Sequence, residues 1–170
     1  MTEIRALTPQ DNLVAVGEMY AECWKEHYRG VLPDDFLNRL TGDRWSAVLH
    51  ADPSSTIAVF EGKEVVGAVT MGFARDEGRE GYGEITSIYL LSRTKRKGCG
   101  RRLLQAALER LKEDGCENVC LWVMEPNRSA AGFYEHMGFA PSGRKQAERY
   151  AAQDVMLIEY IRSLHTLAGE

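Results

Sequence analysis

The sequence has few cysteines, and they lie in no arrangement typical of a metal site or a disulfide framework. No CxxC pair occurs, and no cysteine has a histidine at the spacing of known zinc sites. We therefore predict no metal, and we expect each thiol either to pack as a small apolar side chain or to sit inert near the surface. The scattered residues are Cys23, Cys99, Cys116, Cys120, His27, His50, His136 and His165.

Long apolar runs and linkers are also missing. No stretch approaches the ~20 apolar residues that a membrane span needs, and Met1–Arg5 lacks the charged and apolar regions of a signal peptide. We therefore expect no membrane partner and a cytoplasmic location. Without a repeat or a Pro/Ser-rich linker, residues 1–170 are predicted to form a single domain.

Positive charge is scarce except in one short segment. The chain has a net charge of −4, yet residues 93–102 carry no acidic residue. A basic segment this short on an acidic protein indicates one local anionic ligand, whereas nucleic acid binding favours a broad basic face. We therefore predict no nucleic-acid partner. The basic residues of the segment are Arg93, Lys95, Arg96, Lys97, Arg101 and Arg102.

Apolar periodicity predicts alternating strands and helices. The predicted order is β-α-α-β-β-β-α-β-α-β-β, with the second helical region, about 33–50, broken into pieces. A nearly two-sided apolar strand over 84–91 leads into a helix over 100–113. The last two strands are predicted at 139–144 and 155–160, which leaves 145–154 as a loop. Such an order is typical of a mixed α/β sheet.

The segment between that strand and that helix has the features of a phosphate site. Gly98 and Gly100 let an anion approach the backbone, and the first N–H groups of a helix lack intrahelical partners. The segment is not a Walker A loop, because no Gly-Lys-Ser/Thr follows. It is not a dinucleotide-binding GxGxxG either, because Leu103 occupies the position of the third glycine.

Two separate stretches resemble the signatures of the GNAT-type N-acetyltransferases. Residues 95–100, Lys-Arg-Lys-Gly-Cys-Gly, are similar to the family's Gln/Arg-x-x-Gly-x-Gly/Ala, although Lys95 replaces the usual Gln or Arg and Ser92 stands where proline is common. Residues 127–139 resemble the second signature, Asn-x-x-Ala-x-x-Phe-Tyr-Glu-x-x-Gly-Phe. Two signatures in the right order and at the right distance are more specific than either one alone.

The resemblance implies a fold and a ligand. The implied fold is a mixed, mostly antiparallel sheet of six to seven strands with four helices, and CoA lies in the cleft between two splayed central strands. The implied acyl donor is acetyl-CoA, whose pyrophosphate meets the glycine segment and whose pantetheine arm pairs with the preceding strand. The cofactor-binding residues that follow are Ile88, Tyr89, Leu90, Lys95, Arg96, Lys97, Gly98, Cys99, Gly100, Arg101 and Asn127.

The resemblance also implies the activity, transfer of the acetyl group to a primary amine by direct attack in a ternary complex. Tyr134 corresponds to the family tyrosine that acts as the acid near the sulfur. Glu84 is our choice for the base, Glu125 is the competing carboxylate and Glu80 a distant third. The acceptor pocket is expected to form from the N-terminal helices and the loops near residues 76–83 and 145–154. Candidates to line it are Trp24, His27, Tyr28, Phe36 and Trp45.

Some alternatives stay open on the sequence alone. Asn127 fits a helix cap as well as a ligand contact, and Glu84 fits a solvated position at the start of its strand. A non-catalytic module that binds acyl-CoA is the alternative to an enzyme. The identity of the amine acceptor and the formation of a homodimer are not fixed.

Overall fold

The computed structural model describes residues 2–165. It contains a seven-stranded, mostly antiparallel sheet with five α-helices, so the predicted mixed α/β class is confirmed. The strands are β1 Thr2–Ala6, β2 Thr56–Glu61, β3 Glu64–Phe73, β4 Tyr82–Leu90, β5 Asn118–Met124, β6 Ala140–Tyr150 and β7 Gln153–Ser163. The helices are α1 Leu13–His27, α2 Asp34–Arg39, α3 Asp43–Ala51, α4 Cys99–Glu113 and α5 Arg128–His136.

The strands follow the order β1-β2-β3-β4-β5-β7-β6 across the sheet. The pairs β1–β2, β2–β3, β5–β7 and β6–β7 are antiparallel, whereas β4 and β5 are parallel. A parallel pair needs a crossover connection, and α4 lies in that connection. The described pairing of β4 with β5 covers Tyr82–Ile85 against Asn118–Leu121.

The helix count differs from the prediction of four because the second helical region divides into α2 and α3. The division falls at Leu40, whose backbone is extended with φ −65° and ψ 132°. The following turn brings Gly42 against α1, where a Cβ on Gly17 would lie 2.7 Å from the carbonyl oxygen of Gly42. Backbones can approach this closely only where side chains are absent.

The C-terminal hairpin is longer than the sequence predicts. Residues 145–154 were expected to be a loop, but β6 runs to Tyr150 and β7 starts at Gln153, with a tight turn between them. The prediction was wrong because β6 lies at the edge of the sheet and is mostly exposed, so it carries polar residues and no apolar alternation. Arg149 pairs there with Asp154 at 3.1 Å.

By its contacts the chain forms two compact units. The first comprises residues 2–70 and 87–107, and its core is formed mainly by the buried apolar residues of α1, β2 and β3. The second comprises residues 71–86 and 108–165, and its core includes the buried apolar residues of β5 and β7 and Tyr134 of α5. All four cysteines are buried, which is the first of the two alternatives that the sequence offered. Within residues 2–165, no helix has both the length and the apolar composition needed to cross a membrane.

Candidate active site

The glycine segment forms an exposed loop that ends at the start of α4. Ser92–Thr94 form a 3₁₀ turn, and two of the next residues have left-handed backbone, Arg96 with φ 67° and Gly98 with φ 77°. Left-handed residues in a short loop turn successive N–H groups toward one side, which makes an anion-binding concavity. The left-handed conformation of Arg96 is not predictable from the motif, because arginine adopts it rarely.

The loop is open on the side where an anion would lie. A Cβ built on Gly98 would meet no atom within 4 Å. In α4 the first backbone bond at this end runs from the N–H of Arg102 to the carbonyl of Gly98, at 3.1 Å. The N–H groups of Cys99, Gly100 and Arg101 precede it and therefore lack intrahelical acceptors. These residues fit a diphosphate.

Apart from Arg102, which donates a hydrogen bond to the hydroxyl of Thr2 at 3.1 Å, the basic side chains of the segment divide into two groups. Arg93 and Lys97 form ion pairs with the β2–β3 hairpin, Arg93 with Glu61 and Glu64, and Lys97 with Glu61 at 3.7 Å. Within the described part of the chain, Lys95, Arg96 and Arg101 form no ion pair. These three cations are therefore the ones available to an anionic ligand.

The loop is also attached to α1. The carboxylate of Glu26 accepts a hydrogen bond from the backbone N–H of Ser92 at 2.9 Å. Ser92 stands where the family commonly has proline, and here its N–H serves to hold the start of the loop. The sequence gives no signal for this contact, because Glu26 and Ser92 are 66 residues apart.

The candidate acceptor residues of α1, α2 and α3 form one aromatic cluster around Trp24. The ring of Trp24 lies 4.9 Å from Tyr28 and 5.8 Å from Trp45, centroid to centroid. Tyr89 of β4 joins the cluster at 6.2 Å from Trp24, although the sequence pointed to it only for its backbone. The cluster thus reaches the segment Ile88–Leu90.

The remaining acceptor candidates are Phe36 and His27. The ring of Phe36 is 6.5 Å from that of Trp24, and the guanidinium of Arg44 lies over both rings. Burial lowers the pKa of His27, and the positive charge of Lys95 lowers it further. His27 is therefore mainly neutral at pH 7.

Glu84 is one of the two acidic residues that the structure buries, the other being Glu159. It is the third residue of β4 and is only 6% exposed, so the solvated position considered above is wrong. Its carboxylate accepts hydrogen bonds from the guanidinium of Arg75, Nε at 3.4 Å and Nη2 at 3.3 Å. Its neighbour on β5 is Cys120.

The two competing carboxylates are in more ordinary surroundings. Glu125 follows β5, is half exposed and pairs with Lys145 at 3.6 Å. Glu80 is exposed and accepts a bond from the N–H of Gly78 at 3.2 Å. Of the three acids that the sequence singled out, only Glu84 is shielded from water.

Tyr134 and Asn127 lie at opposite ends of α5. Tyr134 is 8% exposed, and its ring packs 5.4 Å from Phe133 and 5.9 Å from Phe139. Asn127 caps the helix, since its Oδ1 accepts the N–H of Ala130 at 3.2 Å. The cap occupies the oxygen of this amide and leaves its NH₂ group as the part suited to a ligand.

Sequence reasoning missed the ionic cluster around Glu159. The carboxylate is fully buried and accepts bonds from the guanidinium of Arg79 and the hydroxyl of Ser142. Burial by itself would raise the pKa of Glu159, but the bonds from Arg79 and Ser142 and the charge of Arg144 lower it overall. The sequence did contain a signal for this cluster, because Glu159 is an acidic residue inside an otherwise apolar strand. The cluster attaches the loop before β4 to β7.

The same loop is attached to β5 as well. The indole N–H of Trp122 donates to the carboxylate of Asp76 at 3.2 Å. Trp122 is the direct partner of Glu159 across β5 and β7. Two residues of the loop are thus fixed on adjacent strands, and Arg75 lies immediately before the first of them.

Comparison with known proteins gives a consistent result. The sequence model of the acetyltransferase (GNAT) family matches residues 13–139. An uncharacterized N-acetyltransferase of Bacillus subtilis is 32% identical over 130 residues, 74% of this chain and 73% of that protein. A probable N-acetyltransferase of Mycobacterium tuberculosis is 30% identical over 149 residues, 83% of this chain and 81% of that protein.

Solved structures share the fold. A putative acetyltransferase of Salmonella typhimurium with its cofactor acetyl-CoA matches with a TM-score of 0.74 and 18% identity, over 98% of this chain and 96% of that one. An N-acetyltransferase of Thermoplasma acidophilum in complex with coenzyme A matches with a TM-score of 0.68 and 19% identity, over 96% of this chain and 99% of that one.

Proposed function

The chain belongs to the GNAT family of acetyltransferases with acetyl-CoA as the acyl donor, and from this premise we propose that it acetylates a primary amine by direct attack. The observation that carries the proposal is the buried carboxylate of Glu84, four residues before Ile88 on the same strand. A carboxylate at this point of β4 is suited to take the proton that the acceptor must lose.

The reaction poses two proton problems. An alkylammonium with a pKa of about 10.4 must lose a proton before its nitrogen can attack the thioester. The departing thiolate, whose thiol has a pKa of about 8.5, leaves more easily when it is protonated. The site therefore needs a base on the acceptor side and an acid near the sulfur.

We assign the base to Glu84 because of its burial. A base that abstracts a proton must be shielded enough to interact strongly with the ammonium, and shielding from water strengthens that attraction. Glu125 is half exposed and already paired with Lys145, and Glu80 is exposed. Both are therefore weaker candidates.

We assign the acid to Tyr134. A phenol with an ordinary pKa near 10 is protonated at neutral pH and can donate to a departing thiolate. The residue is buried against Phe133 and Phe139, which supports a fixed position for its ring. The tetrahedral oxyanion would be stabilised by a backbone N–H of β4 near Leu90.

The donor would be held by the glycine loop. Backbone N–H groups of residues 96–101 would bind the pyrophosphate, and the unpaired cations Lys95, Arg96 and Arg101 would neutralise it. Ile88–Leu90 would pair with the pantetheine arm through their main chain. The amide NH₂ of Asn127 completes the proposed set of contacts.

An amine panel tests the activity. Release of free CoA from acetyl-CoA is followed with alkylamines, polyamines, aminoglycosides, aniline and a peptide with a free N-terminus. The peptide is included because N-alpha-acetyltransferase 30 of Xenopus laevis is 31% identical over 98 residues, 56% of this chain and 35% of that protein. Turnover of at least one amine is expected. Acetyl-CoA binding without turnover of any amine would favour the non-catalytic module instead.

A pair of variants tests the base. Glu84→Gln should lower kcat by about 10²-fold, the ordinary contribution of a general base, and should change the shape of the pH–rate profile. Glu125→Gln is the matched control and should leave both unchanged. If Glu125→Gln shifted the profile while Glu84→Gln did not, Glu125 would be the base.

A further inference from the structure

The buried carboxylate of Glu84 is covered by a cation from its own chain. Arg75 lies two residues after the end of β3, and its guanidinium contacts both carboxylate oxygens. The pair is strongly asymmetric, since the Arg75 side chain is 77% exposed and that of Glu84 only 8%. The guanidinium therefore lies on the solvent side of the carboxylate, where a second cation would approach.

The pair is loose. Its contacts of 3.3 and 3.4 Å are longer than the 2.7–2.9 Å of a well-formed charge-assisted bond. Holding a long, exposed side chain in one geometry costs entropy, and exposed ion pairs contribute little stability. Moving Arg75 away is therefore easy, provided that another cation takes its place beside the buried carboxylate.

Among the described residues, Arg75 is the cation that hydrogen-bonds to Glu84, and its neighbours are held by other partners or are neutral. Asp76, the next residue, is held by the indole N–H of Trp122 at 3.2 Å. Cys120, the neighbour of Glu84 on β5, is a buried thiol whose pKa is raised to about 12, by burial first and then by the nearby carboxylates, so it is neutral. Arg75 can turn outward while Asp76 keeps the loop in place.

We propose that Arg75 is a resident cation that the ammonium group of the acceptor displaces from Glu84. This inference rests on the proposed function of Glu84 as the base. It specifies the acceptor class as alkylamines that are cationic at neutral pH, because only a charged amine replaces the partner that Glu84 loses. Weakly basic arylamines, which arrive uncharged, do not replace it.

Displacement of Arg75 by the acceptor also explains how the product leaves at the end of the catalytic cycle. The acceptor ammonium gives one proton to Glu84, its nitrogen attacks the thioester carbonyl, and the C–S bond breaks as Tyr134 protonates the departing sulfur. The second proton that the nitrogen loses returns to the Tyr134 phenolate and Glu84 gives its proton to solvent, so one proton is released per turnover. The acetamide product is neutral and does not pair with a carboxylate, so Arg75 returns to Glu84 and product release is favoured.

Kinetics of Arg75→Gln test the exchange, with the fastest alkylamine of the panel and aniline as the two acceptors. The variant removes the competing cation. The KM for the alkylamine should fall about threefold, the factor that corresponds to a weak exposed ion pair, while kcat changes less than about twofold. The KM for aniline should stay unchanged. Arg75→Lys, which keeps a cation, should resemble the wild type.

Two controls make the result specific. Arg110→Gln removes a less exposed arginine, 36% against 77% for Arg75, from an ion pair on α4, with Asp114 at 3.3 Å, and should leave both KM values unchanged. Ethylguanidinium, a soluble substitute for the missing side chain, should compete with the alkylamine more strongly in Arg75→Gln than in the wild type. An equal change in KM for both amines, or no change for either, would overturn the inference.

Failure of this inference is distinguishable from failure of the proposed base. If Glu84→Gln is inactive while Arg75→Gln behaves as the wild type, Glu84 remains the base and the displacement is wrong. If Glu84→Gln turns over at the wild-type rate, both proposals are wrong.

Discussion

Gly98 has no side chain, and this has two consequences. The backbone can adopt a left-handed conformation, and an anion can approach it. The residue has φ 77°, and its missing Cβ would point into open space. An alanine there is strained by about 1 kcal/mol and also puts a methyl group where the pyrophosphate is proposed to lie. We expect Gly98→Ala to weaken acetyl-CoA binding roughly tenfold, about 1.4 kcal/mol, as measured by calorimetry.

The other end of α4 provides the control for this variant. Gly115 has φ 94° and likewise no neighbour within 4 Å of its missing Cβ. Gly115→Ala should lower the free energy of unfolding by a similar amount and leave the dissociation constant of acetyl-CoA unchanged. Equal affinities for the two variants would remove Gly98 from the pyrophosphate site.

The hydroxyl of Tyr134 is expected to act in turnover and not in binding. Tyr134→Phe keeps the ring between Phe133 and Phe139 and removes only the proton donor. We expect kcat to fall by about 10²-fold with little change in acetyl-CoA affinity. Tyr160→Phe removes another buried hydroxyl, bonded to Glu135 at 3.3 Å, and should leave kcat unchanged. A fully active Tyr134→Phe enzyme would exclude the tyrosine from the mechanism.

Glu159 gives the protein a specific sensitivity to acid. A carboxylate whose pKa is lowered in the folded state stabilises the protein above its ordinary pKa, and this stabilisation is lost as the pH falls through the lowered value. Glu159→Gln should reduce the free energy of unfolding at pH 7 by about 3 kcal/mol, because it leaves Arg79 without its partner.

The pH dependence distinguishes this ionic effect from simple loss of packing. In urea unfolding the difference between wild type and Glu159→Gln should be constant from pH 7 to about pH 5. It should then shrink as the pH is lowered further. A difference that stays constant down to pH 3 would contradict the ionic explanation.

Between elements, the crossing of α1 and α3 depends on two glycines. A Cβ on Gly17 would lie 2.7 Å from the carbonyl oxygen of Gly42, and this backbone atom cannot move away easily. Gly17→Ala should therefore destabilise the protein by about 1–3 kcal/mol, although alanine is ordinarily the better residue in a helix. The measurement is the urea midpoint at constant m-value.

A second helical glycine serves as a control that separates the helix propensity of alanine from the steric clash expected at Gly17. Gly132 lies inside α5, and a Cβ there would meet no atom within 4 Å. Gly132→Ala should be neutral or stabilise the protein by up to about 1 kcal/mol. If both variants changed the free energy of unfolding in the same direction, the close approach of Gly17 and Gly42 would not explain the effect of Gly17→Ala.

Elements with a strong apolar pattern were the ones that the sequence could predict. Helix α4 repeats leucines and alanines on one face, and β4 is apolar on nearly both faces, so the positions of these two elements agree with the prediction to within two residues. The outer part of β6 is polar because it lies at an edge, and periodicity therefore could not reveal it. The division at Leu40 depends on the packing of Gly42, which no local pattern encodes.

The candidate site was predictable only in part, because only some of its residues belong to local sequence patterns. Gly98, Asn127 and Tyr134 belong to linear signatures, so sequence alone could single them out. The contacts of Glu84 with Arg75, and of Glu159 with Arg79, depend on where the loop before β4 is fixed by Trp122. Such contacts between residues nine and eighty positions apart require the folded chain.

Over the whole molecule, the burial of every cysteine has a practical consequence for thiol chemistry. The pKa of Cys23 is raised to about 12, by burial first and then by Glu26 and Glu22, and that of Cys120 is raised to about 12 as well. Because the thiolate is the reactive form, the native protein should react very slowly with an aromatic disulfide reagent at pH 7.5. After unfolding in guanidinium, all four thiols should react with the reagent. A cysteine thiol that reacted quickly in the native protein would contradict this expectation. Free CoA is then the fast-reacting thiol during turnover, and a cysteine introduced at an exposed helical position such as Glu109 carries a fluorescent label without removal of the native four.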